Sequence, residues 1–214
     1  MNLFEDKLLA LKNSIKLGLP GEEAHGMFSP PGRLNFENAL LLEDTPKKAA
    51  VLIPLFLNAK GEPAILLTLR KTYPGVHSGQ ISFPGGKFEK NENSSVKVAL
   101  REAKEEVGID SKNVSIIGEL SPLYIPPSHI IVFPILGYLE KLEPWEIQER
   151  EVEQTIELSI SDFMEPSNKG ILNVNVGNQK KTVPSYNING TEIWGATAMI
   201  ISEFLYLWNR KQDQ

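Results

Sequence analysis

The sequence predicts an α+β fold built around one main core. Three observations point there. Helical periodicity occurs in three separated stretches, at the start, the middle and the end of the chain. Strand-like runs cluster between them and do not alternate regularly with helices, which argues against a doubly wound sheet. Two of those runs, AAVLIPLFLN and AILLTLRK, flank the turn NAKGEP and so read as a hairpin.

The elements follow in order. Residues 3–17 place Leu3, Leu8, Leu9, Leu11, Ile15 and Leu17 at roughly helical intervals, and Pro20-Gly21 end the pattern. We expect a helical extension over 1–30 and the main domain over 31–214; packing on the domain and a dimer interface are both open to this helix. SPPGR (29–33) reads as an extended surface segment. After the hairpin come the loop TYPGVHSGQ and the run ISFPGGKFEKNENSS, then a strong helix over about 94–107. VSIIGELSPLYI, HIIVFPILGYLE and VEQTIELSI are strand candidates. The stretch ILNVNVGNQKKTVPSYNINGTEIWG reads as short strands and turns, with Asn189-Gly190 as a hairpin signal. The final helix, about 196–209, carries Ala198, Ile201, Leu205 and Trp208 on one face.

Composition narrows the function. The 214 residues suffice for one good core. Cysteine is absent, which excludes disulfides, thiolate zinc sites and cysteine nucleophiles and suits a reducing compartment. The net charge of -5 argues against a broad nucleic-acid surface. An anionic substrate is still compatible, because divalent cations neutralise both partners locally. No apolar run approaches the ~20 residues of a membrane span. The start is mixed in charge, unlike a secretory signal, and RKQDQ is not a peroxisomal address. We therefore expect a cytoplasmic protein, with no nucleic-acid or membrane partner, acting as monomer or homodimer.

The chemistry concentrates in REAKEEVGI (101–109). On an α-helix, Val96, Ala99, Leu100, Ala103 and Val107 fall within roughly 100° and should face the core. Glu102, Glu105 and Glu106 fall on an adjacent arc. Glutamates at such spacing repel one another and sit at the helix end where the dipole disfavours them. Lys97, Lys104 and Arg101 point to other sectors, although Arg101 reaches Glu105 at i+4. The arrangement costs stability unless a cation binds, and Mg²⁺ or Mn²⁺ suits such oxygen ligands. From the helix alone, an ordinary acidic face and a cation site are both open. Asn93 or Ser94 is the candidate N-cap and Gly108 the left-handed C-cap. Upstream, FPGG (83–86) forms a stiffened, glycine-rich approach that suits either a plain turn or a loop presenting backbone groups to a ligand.

Loop and helix together, GKFEKNENSSVKVALREAKEEVGI from Gly86 to Ile109, resemble the Nudix box. Arg101, Glu102, Ala103, Glu105, Glu106, Gly108 and Ile109 match every fixed position of its second half, and Gly86 and Glu92 are correctly separated. Eight residues lie between Glu92 and Arg101, one more than usual. That expansion is similar to the coenzyme A pyrophosphatase branch. The segment LLTLRKTYPGVHSGQISFPGG (66–86) also resembles that branch's second signature, with Lys71 replacing a small residue and Gly75 standing where a second arginine is expected. VPSYNINGTEIWGATAMII is similar to the branch's C-terminal region.

The resemblance implies a Nudix α/β/α sandwich with a mixed β-sheet between helices. It implies metal-dependent pyrophosphate hydrolysis of coenzyme A or acyl-CoA, giving adenosine 3',5'-bisphosphate and (acyl-)4'-phosphopantetheine. Hydrolysis of ADP-ribose, a dinucleotide or an oxidised nucleotide is the alternative, and a non-catalytic nucleotide sensor the third reading. Glu102, Glu105, Glu106 and the Gly85 carbonyl are the implied ligands for Mg²⁺ or Mn²⁺, with Arg101 holding the glutamates. The general base would be a box glutamate or an acid of EIQEREVEQ, Glu151 or Glu153. Arg70, Lys71 and His77 are candidate substrate-binding groups. His129 reads as structural; Tyr124, Pro126 and Pro127 could wall a pocket. Trp145, Trp194 and Trp208 read as core or interface residues.

Overall fold

In a computed structural model, residues 3–72, 79–176 and 179–210 are described. Two strands explain the architecture. β1 (Lys47–Leu57) and β2 (Pro63–Arg70) are apolar nearly throughout, because both faces of their sheet are covered. Alternate residues go to opposite sides. Ile53, Leu55, Ile65 and Leu67 enter one core, while Leu52, Phe56, Ala64 and Leu66 enter another. The expected hairpin is present, with Leu57 opposite Pro63.

The main sheet has the order β3-β2-β1-β7-β5. β3 is Ile81–Ser82, β5 is Val114–Glu119 and β7 is Ile130–Leu139. β1 and β7 run parallel; β1–β2, β2–β3 and β5–β7 are antiparallel, so the sheet is mixed as expected. Three further strands attach to it: β4 (Gly85–Lys87) on β1, β6 (Leu123–Ile125) on β7, and β8 (Val152–Ser159) on β2. The FPGG run is thus part turn and part strand. Gly85 and Gly86 pair with Val51 and Ala50, and a Cβ on Gly85 would overlap the Ala50 carbonyl oxygen and lie 2.6 Å from Val51 Cα.

Helix α4 (Ser95–Val107) covers one face. Helices α1 (Leu3–Lys16) and α6 (Gly195–Asn209) pack on the core of the other face. The N-terminal helix packs on the domain: Phe4 and Leu11 join the main core, and Phe4 meets Tyr138 edge-on. The two helices also satisfy each other's ends. Lys7 Nζ donates to the Trp208 carbonyl at 2.6 Å, and Arg210 Nη1 donates to the carbonyls of Ser14 and Gly18 at 3.1 and 2.8 Å.

A buried carboxylate reinforces this junction. Glu203 of α6 is fully buried and accepts from Ser121 N–H and Oγ, from Gly21 N–H, and pairs with His25 Nε2 at 3.0 Å. His25 ends the short helix α2 (Glu22–His25), which the sequence reading missed along with α3 (Phe36–Ala39), since helices this short show no periodicity. The strand expected over VEQTIELSI includes Ile160, but β8 ends at Ser159. There α5 (Ile160–Met164) begins, and Asp162 reaches back to the Ser159 N–H at 3.2 Å.

The segment read as short strands forms a separate three-stranded sheet of β9 (Lys169–Val176), β10 (Gln179–Ile188) and β11 (Thr191–Trp194). Asn189 and Gly190 have φ of 52° and 83°, the positive values a two-residue primed hairpin requires. Trp145 meets Phe56 edge-on and Trp208 packs beside Phe204. Among the described residues, no helix is long and apolar enough to cross a membrane.

Candidate active site

Helix α4 starts where Ser94 accepts the Lys97 N–H and stops at Gly108, whose φ is 76°. Ala99, Ala103 and Val107 are buried as expected. The expected glutamate arc needs a correction. Glu106 is buried too, only 2% exposed. It lies seven residues after Ala99, hence about 20° away around the helix, on the core face itself. Val98 is fully buried and Leu100 only half-buried. The three glutamates therefore differ. Glu106 is inside, Glu102 is 15% exposed at its side chain, and Glu105 is 58% exposed.

Arg101 braces the outer part. Its Nε and Nη2 donate to the two oxygens of Glu92, both at 2.9 Å. Nη1 donates to Glu102 at 2.8 Å and to Glu105 at 3.3 Å, and Nη2 also reaches the Lys87 carbonyl at 3.2 Å. This fork engagement raises the guanidinium pKa, chiefly through Glu92. Glu92, matched in the sequence by position alone, accepts from both Nε and Nη2 and anchors the brace. A loop residue facing a helix has no fixed spacing, so no periodicity could reveal it. The Glu89 N–H donates to the same carboxylate at 2.7 Å.

The glycines shape the inner part. The Gly85 N–H donates to Glu106 at 3.1 Å, and a Cβ on Gly86 would overlap the Glu102 carboxylate. Strand β4 thus admits two helix carboxylates against its backbone; the space beside Gly86 is taken by Glu102 and that beside Gly85 by the β1 backbone.

Loop 140–151 brings in Glu151. The N–H groups of Glu146 and Gln148 donate to the carbonyls of Val107 and Glu106, at 3.2 and 2.9 Å. They thereby satisfy open carbonyls at the end of α4. The Lys71 N–H holds the Glu151 carbonyl at 2.9 Å. Glu151 is exposed, yet its charge is felt at both Glu102 and Glu106. Glu153 projects from the start of β8 into solvent.

Electrostatics follow from this crowding. Burial pushes the Glu106 carboxyl up to about 7; Arg70 and the Gly85 N–H pull the other way, and Glu102 and Glu151 add to the rise. Burial raises Glu102 as well, against the pull of Arg101. Arg70 sits at the end of β2, with Nη1 3.5 Å from Glu106. The structure therefore pairs this candidate substrate group with a candidate metal ligand. Lys71 is exposed beside Glu151. His77 and Gly75 lie outside the described residues. His129 is held between Tyr124 Oη at 2.9 Å and the Asp44 carbonyl at 3.0 Å, in agreement with a structural role.

The donors fit a hard divalent cation. Glu92, Glu102, Glu105, Glu106 and Glu151 face two guanidiniums, Arg70 and Arg101, so negative charge is in excess. Among the described residues, no three acidic or imidazole side chains converge into a closed cage. Mg²⁺ does not need one, since it is held by one or two carboxylates and keeps water or substrate oxygens for the rest.

Comparisons with known proteins bear on this geometry. Residues 46–173 match the family described as NUDIX domain. The chain is 35% identical over 162 residues to the uncharacterized Nudix hydrolase NudL of Photorhabdus laumondii, covering 76% of this chain and 85% of that one. It is 34% identical over 167 residues to the human mitochondrial coenzyme A diphosphatase NUDT8, covering 76% and 70%. Among solved structures, a MutT protein from Methanosarcina mazei aligns over 79% of this chain and 99% of its own, with a TM-score of 0.53 at 20% identity. A MutT/nudix family protein from Enterococcus faecalis aligns over 78% and 63%, with a TM-score of 0.52 at 18% identity. These two likenesses concern the fold.

Proposed function

The chain belongs to the Nudix hydrolases, and from that premise we propose that it hydrolyses the pyrophosphate bond of coenzyme A or acyl-CoA. The products are adenosine 3',5'-bisphosphate and 4'-phosphopantetheine or its acyl form. The observation that carries the substrate is the 34% identity to human and mouse coenzyme A diphosphatases over three quarters of the chain. The signature ending in Phe83-Pro84-Gly85-Gly86 supports it.

The chemistry rests on the α4 carboxylates. Glu102 and Glu106 hold Mg²⁺ or Mn²⁺, assisted by the more exposed Glu105 and the Gly85 carbonyl. The cation would supply positive charge to the pyrophosphate oxygens and lower the pKa of bound water. Arg101 fixes Glu102 and Glu105 in place. Glu151 is the general base: it is exposed to solvent, beside the buried carboxylates, on a loop anchored to the end of α4. Arg70 and Lys71 hold the anionic end of the substrate, with His77 the third candidate.

Gly75, where the branch has arginine, favours a second reading in which the same chemistry acts on ADP-ribose, a dinucleotide or an oxidised nucleotide. A substrate panel with Mg²⁺, Mn²⁺ and chelator, its products identified by mass, separates the two. Metal-dependent release of 4'-phosphopantetheine is expected. ADP-ribose turned over as well as coenzyme A would remove the specific assignment. Glu151→Gln should lower kcat about 10²- to 10⁴-fold with KM little changed; unchanged kcat would return the base to the α4 helix.

A further inference from the structure

The two arginines of the site are held very differently. Arg101 donates to Glu92 through two nitrogens, to Glu102, to Glu105 and to the Lys87 carbonyl, and is a fixed brace. Arg70 meets Glu106 through one nitrogen at 3.5 Å, beyond strong hydrogen-bond range. Its Nε is buried and has no hydrogen-bond partner among the described residues. Among the described residues, nothing therefore commits the fork to this pose. Its strand supports a local adjustment, because the β2–β8 register shifts between Leu69 and Arg70.

The oxygen Arg70 faces is also selective. Glu106 Oε2 accepts the Gly85 N–H at 3.1 Å, so Oε1, facing Arg70 at 3.5 Å, is the less firmly held of the two oxygens. We infer that Arg70 is a replaceable counter-charge for Glu106: it occupies Oε1 until a divalent cation displaces it, and the displaced guanidinium then turns to the anionic substrate. This rests on the metal-site reading above and adds a coupling between the two ligands.

Magnitudes favour displacement. A divalent ion at about 2.1 Å from the oxygen carries twice the charge of a guanidinium at less distance than 3.5 Å. At equal dielectric its attraction to Oε1 is about three times greater. The arginine still opposes the cation by occupying that oxygen and repelling it.

The distinguishing consequence is a sign. A merely structural Arg70 would, when removed, loosen the site and weaken cation binding. A competing Arg70 would, when removed, tighten it. Mn²⁺ binding to the purified full chain, without substrate, is measured by the electron paramagnetic resonance of free Mn²⁺ and by calorimetry. Arg70→Gln should bind Mn²⁺ roughly three- to tenfold more tightly than the parent. Arg70→Lys keeps the stem and charge and should stay near the parent value. In turnover, KM of Arg70→Gln should rise, because the substrate loses the guanidinium. Mn²⁺ affinity that is unchanged or weaker in Arg70→Gln, while Glu106→Gln abolishes binding, overturns this inference and leaves the metal site standing. Undiminished Mn²⁺ binding by Glu106→Gln overturns both.

Discussion

Glu106→Gln is a strong test of the site, because it should stabilise the protein while removing its activity. The buried carboxyl titrates at about 7, against an ordinary value of 4.5, chiefly because burial penalises its charged form. That difference corresponds to about 3 kcal/mol of strain in the ionised state. The sign follows from linkage. The folded protein holds this proton more firmly than the unfolded chain. Its contribution is therefore most favourable below pH 4.5, declines as pH rises to about 7, and is flat above. Glutamine mimics the neutral carboxyl and can still accept the Gly85 N–H, but it gives up the ion pair with Arg70. The net gain at pH 8 in chelator should be about 1 to 3 kcal/mol, a rise in Tm of roughly 2 to 10 °C for a chain of this size. At pH 5 the gain should nearly vanish. Thermal unfolding at both pH values, with and without Mg²⁺, is the assay. Mg²⁺ should raise the Tm of the parent and not of the variant, and turnover should fall on the order of a hundredfold or more. A variant less stable than the parent at pH 8 in chelator, or a stability gap independent of pH, would refute the reasoning.

Two further outcomes follow from geometry. Gly86→Ala places a methyl group on the Glu102 carboxylate, whereas Gly85→Ala places it against the backbone of Ala50 and Val51. A side chain swings aside more readily than a strand, so Gly86→Ala should fold and lose most activity, while Gly85→Ala should lose soluble protein; the reverse pattern would contradict the β4 assignment. Glu203→Ala strands the Gly21 and Ser121 N–H groups and His25 in the core. It should cost about 3 to 5 kcal/mol and lower Tm by roughly 10 °C, with kcat/KM of the folded fraction unaffected. A change in kcat/KM at intact stability would give Glu203 a role this structure does not.

Much of the site was legible because the residues that carry it lie on one helix and the strand before it. A 3.6-residue period puts Glu102, Glu105 and Glu106 on neighbouring sectors whatever the helix packs against. A capping serine and a left-handed glycine set where that helix starts and stops. The β1–β2 hairpin was equally local, since its turn chemistry and its two apolar runs are contiguous. Contacts made across the chain were not legible from spacing, although the family likeness names Glu92 and Glu151 as candidates. Glu92 reaches Arg101 from a loop, Glu151 arrives on a segment tied to the end of α4, and Glu203 gathers partners from two separate segments, residues 21–25 and Ser121. No spacing rule connects such pairs.

Sequence alone determined the α+β class and the charge conflict on the helix, which depend on local periodicity, and the family likeness with its box positions, which depends on a resemblance carried by one contiguous motif. Tertiary structure decided which glutamate is buried, which arginine is fixed, and why two glycines are required. Those properties arise only when α4 is pressed onto β4 and β4 onto β1, where burial sets the cost of charge and backbone proximity sets the space left for side chains.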